Sequence, residues 1–232
     1  MQKKVFITGT GTDVGKTYVS KIIIECLRKH GYKTIGLKPV ASGAILNNGK
    51  LVNKDASILR SVSSFEIPYE KTNPYCFREA IAPHIAAKKH GINMNINSIS
   101  NEIDRIDDYY SYDISIIEGA GGWHVPINDR ELLSDLVIKN QWPVILVVGI
   151  RLGCINEAIL TCRSFRENGI NCLGWISNCL GEKSFEQSEN IETLKNYIPY
   201  PHMGNIPLYG TVDEIIKLYL IYSSLGLKSI LT

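Results

Sequence analysis

A glycine-rich segment near the start of the chain could bind phosphate. Gly9 to Thr17 reads GTGTDVGKT and ends in Gly15-Lys16-Thr17, with an apolar run, Val5 to Ile7, just before it. Such loops present backbone N–H groups and a helix N-terminus to a phosphate, while the lysine adds positive charge and the threonine hydroxyl binds Mg²⁺. Thr10 occupies the first glycine position of the general motif. The alternative is a glycine-rich turn, but the flanking strand and helix patterns favour nucleotide binding.

Two carboxylates could complete a magnesium site with Thr17. Glu118 ends an apolar run and precedes Gly-Ala-Gly-Gly, and Asp55 lies at a helix start in Asn-Lys-Asp-Ala. Mg²⁺ in nucleotide sites prefers one or two carboxylates beside the phosphates. The alternatives are a solvated strand end for Glu118 and an N-cap for Asp55.

A lysine and two hydroxyl side chains are candidates for contact with a reacting substrate. Lys38 follows a short apolar run and begins Lys-Pro-Val-Ala-Ser-Gly, and such a lysine either lies on the surface or neutralises charge in a transition state. Ser42 and Thr12 are candidate hydroxyl donors or plain turn residues. Gly153 to Asn156 opens a helix, whose N–H groups could receive a carboxylate.

The elements that must position these residues alternate between strand and helix patterns. A helical apolar stripe follows the glycine-rich loop and ends before Gly31, and a second follows Ile155. The weaker pattern between residues 44 and 110 indicates polar loops and two helices. This alternation predicts an α/β fold, a mostly parallel twisted sheet with helices on both faces, in which ligands bind beyond the carboxyl ends of the strands. The predicted strands are Lys4 to Ile7, Thr34 to Leu37, Ile114 to Ile117, Val144 to Val148, Leu173 to Ile176 and Met203 to Ile206.

Composition limits the function classes. The 232 residues suit one α/β domain spanning residues 1–232, and a net charge of +2 gives no argument for nucleic acid or an anionic membrane as partner. The apolar runs are too short to span a membrane, and the basic N-terminus lacks the apolar stretch of a signal peptide. The six cysteines show no metal-ligand spacing, so we expect a protein of the reducing cytoplasm.

Taken together, the motifs resemble the dethiobiotin synthetase family. GTGTDVGKT, KPVASG at Lys38, NKDA at Asp55, EGAGGW at Glu118 and PVILVVGIRLGCIN from Pro143 carry the likeness, which runs from residue 3 to about residue 209. The resemblance implies a homodimeric P-loop enzyme that uses Mg²⁺ and ATP. It further implies that the enzyme makes dethiobiotin from 7,8-diaminononanoate and CO₂ through a carbamate and a carbamic–phosphoric anhydride.

The resemblance also implies residue roles, which we transfer position by position. Lys38 matches the active-site lysine, and Lys16 and Thr12 are the other catalytic candidates. Thr17, Asp55 and Glu118 match the metal positions. The helix start at Gly153 would receive the substrate carboxylate across the dimer interface. The implied substrate contacts are Ser42, Gly153, Cys154, Ile155 and Asn156. The implied nucleotide contacts are Asp13, Val14, Gly15, Lys16, Thr17, Tyr18, Asp55, Glu118, Gly119, Ala120, Gly121, Asn178, Cys179, Pro207, Leu208 and Tyr209, with Asn178 reading adenine.

Two other classes share the loop. Partition or positioning ATPases, which act as nucleotide-driven dimer switches, carry an additional lysine where this chain has Gly11. Amide-forming ligases of the corrinoid amidotransferase kind need a glutaminase domain, for which we expect no room in 232 residues. Departures from the dethiobiotin synthetase pattern are Asp13, where many members have glutamate, and Leu-Tyr-Gly-Thr-Val after Pro207.

Overall fold

The computed structural model describes residues 2–181 and 185–207. Six parallel strands form its central sheet, in the order β10-β9-β8-β1-β7-β2. Strands β7 and β2 lie on one side of β1 and strands β8, β9 and β10 on the other, so β1 marks the point where the strand order reverses. Such a point opens a ligand crevice at the carboxyl ends of the strands. These strands are β1 Lys3–Gly9, β2 Thr34–Leu37, β7 Ile114–Glu118, β8 Val144–Ile150, β9 Cys172–Cys179 and β10 His202–Ile206.

Helices cover both faces of the sheet, which confirms the predicted fold class. Strand residues alternate between two apolar clusters: Ile145 and Val147 join one, whereas Val144, Leu146 and Val148 join the other. The first cluster includes residues of the helices Lys16–Lys29 and Lys54–Val62, and the second includes residues of the helices from Pro83–Lys89 to Phe185–Tyr197. The long helices are α1 Lys16–Lys29, α2 Lys54–Val62, α5 Ile96–Asp104, α6 Leu133–Asn140, α7 Cys154–Glu167 and α8 Phe185–Tyr197.

The segment between residues 44 and 110 differs from the prediction of two helices. It contains α2, α5 and the short helices α3 Tyr69–Thr72 and α4 Pro83–Lys89, together with three short strands. Strand β3 Val40–Ala41 pairs in parallel with β6 Tyr75–Cys76, and β4 Ile45–Asn47 forms a hairpin with β5 Lys50–Val52. Helices this short carry too few apolar repeats for a 3.6-residue period to be visible in the sequence.

None of the six cysteines, all within the described ranges, forms a disulfide. Among residues 2–181 and 185–207, no helix is long and apolar enough to cross a membrane.

Candidate active site

The glycine-rich loop joins β1 to α1, as the motif requires. Gly15 is the N-cap of α1 and has φ of 91°, a left-handed conformation that glycine adopts without strain. A Cβ atom on Gly15 would lie 2.0 Å from Nδ2 of Asn178, so the loop and β9 approach too closely there for any side chain. That amide nitrogen donates to the carbonyl of Val14 at 3.0 Å and so fastens the loop to the end of the sheet.

Lys16 reaches across the loop toward the segment that follows β7. Its Nζ donates to the carbonyls of Gly11 at 2.8 Å and Gly121 at 2.5 Å. Burial, followed by the nearby charge of Lys38, lowers the pKa of Lys16 to about 8. The side chain therefore bridges the two glycine-rich loops between which a phosphate chain would lie.

The pairing of β2 with β7 brings the two central charges together. Leu37 pairs with Ile117, so the next residues, Lys38 and Glu118, leave neighbouring strands side by side. Lys38 Nζ lies 2.5 Å from Glu118 Oε1, and the two side chains are only 6% and 1% exposed. Both the surface-lysine alternative for Lys38 and the solvated-strand-end alternative for Glu118 are therefore wrong.

Asp55 joins this pair from α2. Its Oδ2 lies 3.4 Å from Lys38 Nζ, whereas Asn53 is the N-cap, accepting hydrogen bonds from the N–H groups of Asp55 and Ala56. The N-cap alternative for Asp55 is thus wrong, because Asn53 fills that role. Burial alone would lower the pKa of Lys38, but the charges of Glu118 and Asp55 outweigh it and raise that pKa.

The oxygen atoms around this pair fit a magnesium ion. Thr17 Oγ1 donates to Glu118 Oε1 at 2.8 Å, and Glu118 Oε2 is buried without a hydrogen-bond partner among the described residues. An unpaired buried carboxylate oxygen is costly, and a cation there would satisfy it. No cluster of three or more His, Cys, Asp or Glu side chains suited to a metal occurs in residues 2–181 and 185–207. Two carboxylates and a hydroxyl match Mg²⁺, which takes its other ligands from phosphates and water.

The other candidate residues lie around this centre at different depths. Ser42 is half-buried, and its Oγ has no hydrogen-bond partner in the described part of the chain. Thr12 and Asp13 are exposed at the tip of the loop, and Thr12 Oγ1 lies beside Gly121. Tyr18 is exposed on α1. Gly119 offers its carbonyl to Lys38 Nζ at 3.4 Å, and Ala120 is half-buried beside it.

The residues assigned to the base and to the substrate carboxylate are more widely spread. Asn178 lies within β9 rather than after it, and the buried Cys179 donates from Sγ to Asn205 Oδ1 at 3.3 Å. Pro207 is half-buried, while Leu208 and Tyr209 lie outside the described residues. The structure therefore brings the candidate phosphate-binding and metal-binding residues together. Of the candidate base-binding residues, Asn178, Cys179 and Pro207 lie in the described part of the chain.

Helix α7 begins where the sequence indicated. Gly153 is its N-cap with φ of 92°, Cys154 is buried, Ile155 is half-buried and Asn156 is exposed. No side chain caps this helix start. The preceding Leu152 is 99% exposed, although its side chain is apolar.

Sequence reasoning missed the residues that hold the centre in place. Asn53 was visible only as part of the Asn-Lys-Asp-Ala motif, yet its side chain caps α2 and donates to the carbonyl of Ser42 at 3.2 Å. Asn73, the C-cap of a helix too short to predict, donates to the carbonyl of Lys38 at 2.6 Å. An asparagine before an acidic helix start is a recognisable N-cap signal, but no sequence signal reveals the contact of Asn73.

Comparisons with known proteins identify the family of this chain. The family model described as AAA domain matches residues 3–215. An ATP-dependent dethiobiotin synthetase of Pseudoalteromonas translucida is 40% identical over 217 residues, covering 94% of this chain and 95% of that protein. The corresponding protein of Vibrio cholerae is 40% identical over 207 residues, covering 89% of each chain.

Solved structures extend the comparison to the fold. The septum site-determining protein MinD of Pyrococcus horikoshii, complexed with Mg-ADP, superposes with a TM-score of 0.54 at 16% identity. The match covers 97% of this chain and 91% of that one. At this identity the likeness concerns the P-loop fold alone.

Proposed function

Because this chain belongs to the ATP-dependent dethiobiotin synthetase family, we propose that it closes the cyclic urea of dethiobiotin from 7,8-diaminononanoate and CO₂. ATP is converted to ADP and phosphate in the same cycle. The observation that carries the proposal is the buried Lys38, held between Glu118 and Asp55 beside Thr17 of the phosphate-binding loop. A cation fixed there lies where a substrate anion and the γ-phosphate would meet.

The reaction can be written in three balanced steps. A substrate amine attacks CO₂ and loses a proton, which gives a carbamate. A carbamate oxygen attacks the γ-phosphorus of ATP, and the bond from that phosphorus to the bridging oxygen breaks. The products of this step are ADP and a carbamic–phosphoric anhydride. The second amine then attacks the carbonyl carbon, loses a proton and expels phosphate as the ring closes.

The protein's part is to hold two anions together. A carbamate and a triphosphate repel each other, and positive charge in a buried site offsets that repulsion far better than in water. Lys16 and Lys38 supply this charge, and Ser42 orients the substrate. Mg²⁺, when bound by Thr17, Asp55 and Glu118, would supply further charge neutralisation at the phosphates. Holding the reactants in line contributes on the order of 7–11 kcal/mol to lowering the barrier in well-oriented reactions.

We further propose that the enzyme is a homodimer with its sites at the interface. The N–H groups at Gly153 to Asn156 would bind the carboxylate of the substrate held by the partner subunit. Leu152, which is 99% exposed beside this helix start, would be buried against the second copy in such a dimer. Small-molecule substrates and a second copy of the chain are then the partners.

The test is to mix the protein with Mg-ATP, bicarbonate and diaminononanoate and to measure ADP and dethiobiotin together. We expect equal amounts of both products and ADP release that requires the diamine. ATP hydrolysis that is independent of the diamine would refute the proposal and favour a nucleotide-driven switch.

A second arm assigns the role of Lys38. Lys38→Ala should leave ATP affinity nearly unchanged, because Lys16 and the loop N–H groups remain, and should lower kcat by about 100-fold or more. A parallel loss of ATP affinity and turnover would show instead that Lys38 is a phosphate-binding residue only. Lys195→Ala, on the exposed face of α8, is the control that removes a lysine without touching the site.

A further inference from the structure

The segment from α3 to β6, which contributes no residue to the proposed site, supports the loop that carries Lys38 and Ser42. The Lys38 N–H donates to the carbonyl of Thr72 at 2.9 Å, and the N–H of Tyr75 donates to the carbonyl of Pro39 at 3.0 Å. Further along, the N–H of Phe77 donates to the carbonyl of Ala41 at 2.9 Å. Main-chain hydrogen bonds to this segment and to the residue after it therefore hold the loop at Lys38, Pro39 and Ala41.

Two side chains of that segment link the loop to helix α2. Asn73 Nδ2 donates to the Lys38 carbonyl at 2.6 Å, and Asn73 Oδ1 accepts from the Tyr69 hydroxyl at 3.0 Å. The same hydroxyl accepts from the backbone N–H of Asn53 at 2.6 Å. Burial raises the pKa of Tyr69, so its hydroxyl keeps the proton that it donates to Asn73.

Asn53 completes a closed ring of contacts. Its Oδ1 accepts from the N–H of Asp55 at 3.0 Å, and its Nδ2 donates to the Ser42 carbonyl at 3.2 Å. The ion pair of Asp55 Oδ2 with Lys38 Nζ, at 3.4 Å, joins the two ends of the ring. Asn53 and Asn73 are both buried, and buried polar groups that are fully hydrogen-bonded fix one arrangement of their surroundings.

We propose that Tyr69 and Asn73 are positioning residues for this reaction: they hold Lys38 and Asp55 at the separation that the transition state requires. The inference rests on the proposed function, since Lys38 acts on substrate and Asp55 on Mg²⁺ there. Neither residue touches a reacting atom. They act through the Lys38 carbonyl and through the start of α2.

The test variant is Tyr69→Phe, which keeps the ring and removes the hydroxyl that joins Asn53 to Asn73. Mutation of a residue that orients a functional side chain typically lowers activity by about 10- to 100-fold. We therefore expect kcat for dethiobiotin formation to fall by roughly this factor. The KM for ATP should change less than kcat, because the network reaches the nucleotide only through Asp55 and includes no residue of the phosphate-binding loop. Asn73→Asp keeps Oδ1 but removes the Nδ2 group that donates to the Lys38 carbonyl. It should lower kcat in the same way and likewise change the KM for ATP less than kcat.

Tyr112→Phe is the matched control. Tyr112 is buried and its hydroxyl donates to Asp107, but it precedes β7 at the opposite end of the sheet. This variant should lose thermal stability and keep the wild-type kcat. An equal fall of kcat in both variants, or a wild-type kcat in Tyr69→Phe, would overturn the proposal.

A structural arm separates this inference from the proposed function. Crystals of Tyr69→Phe should show the separation of Lys38 Nζ from Asp55 Oδ2 increased beyond 3.4 Å. An unchanged separation would overturn the positioning role, whether or not the wild-type protein forms dethiobiotin. Absence of dethiobiotin from the wild-type reaction refutes the proposed function, while an increased separation would still assign Tyr69 its structural effect on Lys38.

Discussion

Removing one charge from the buried pair of Lys38 and Glu118 should destabilise the protein more than removing both. The perturbations are Glu118→Gln, Lys38→Met and the double variant. In Glu118→Gln the lysine keeps Asp55, but that carboxylate is 42% exposed and screened by water. In Lys38→Met the Glu118 carboxylate, which is 1% exposed, keeps the hydroxyl of Thr17 but loses the adjacent cation.

The magnitude follows from the burial of both groups. Leaving a buried charge without its partner costs about 3–5 kcal/mol, whereas replacing the whole pair with neutral side chains is nearly neutral or stabilising. We therefore expect each single variant to lose about 3 kcal/mol of unfolding free energy, and the double variant to lose less than either. For a chain of this size, about 3 kcal/mol corresponds to a fall in Tm of roughly 6–12 °C.

Urea unfolding followed by tryptophan fluorescence measures these free energies without requiring activity, and the chain has three tryptophans to report it. Glu192→Gln is the control, because its pair with Lys195 is exposed on α8 and is worth less than about 1 kcal/mol. Additive losses in the double variant would refute the reasoning. They would mean that the two groups are solvated independently of each other.

Two further predictions concern the nucleotide and the assembly. Asn178→Ala should weaken the binding of ATP and GTP by the same factor, because the Asn178 amide holds Val14 of the phosphate-binding loop. Titration with each nucleotide measures this factor. A loss of affinity confined to ATP would show instead that Asn178 recognises adenine. Light scattering should find that the protein is a dimer. Leu152→Glu should convert the dimer into an inactive monomer, because the substitution places a charge in the proposed interface. A fully active monomer would contradict the shared site.

The fold could be predicted from the sequence wherever an element is long and periodic. Each of the six predicted strands lies within an observed strand of the central sheet, and α1 follows the phosphate-binding loop. The prediction failed between residues 44 and 110, where α3 and α4 are too short to show a helical period. The predicted strand Leu173 to Ile176 was also shorter than the observed β9, which extends through Asn178 to Cys179.

The sequence by itself determined that the chain binds phosphate, because the loop motif is a local property. It also determined that Lys38 and Glu118 lie at the carboxyl ends of parallel strands, because strand patterns are local as well. Only the tertiary structure decided that these two side chains are buried together. It also decided that Asn73 supports Lys38. These contacts join residues far apart in the chain, so they depend on strand register and on the packing of short segments, which no local pattern records.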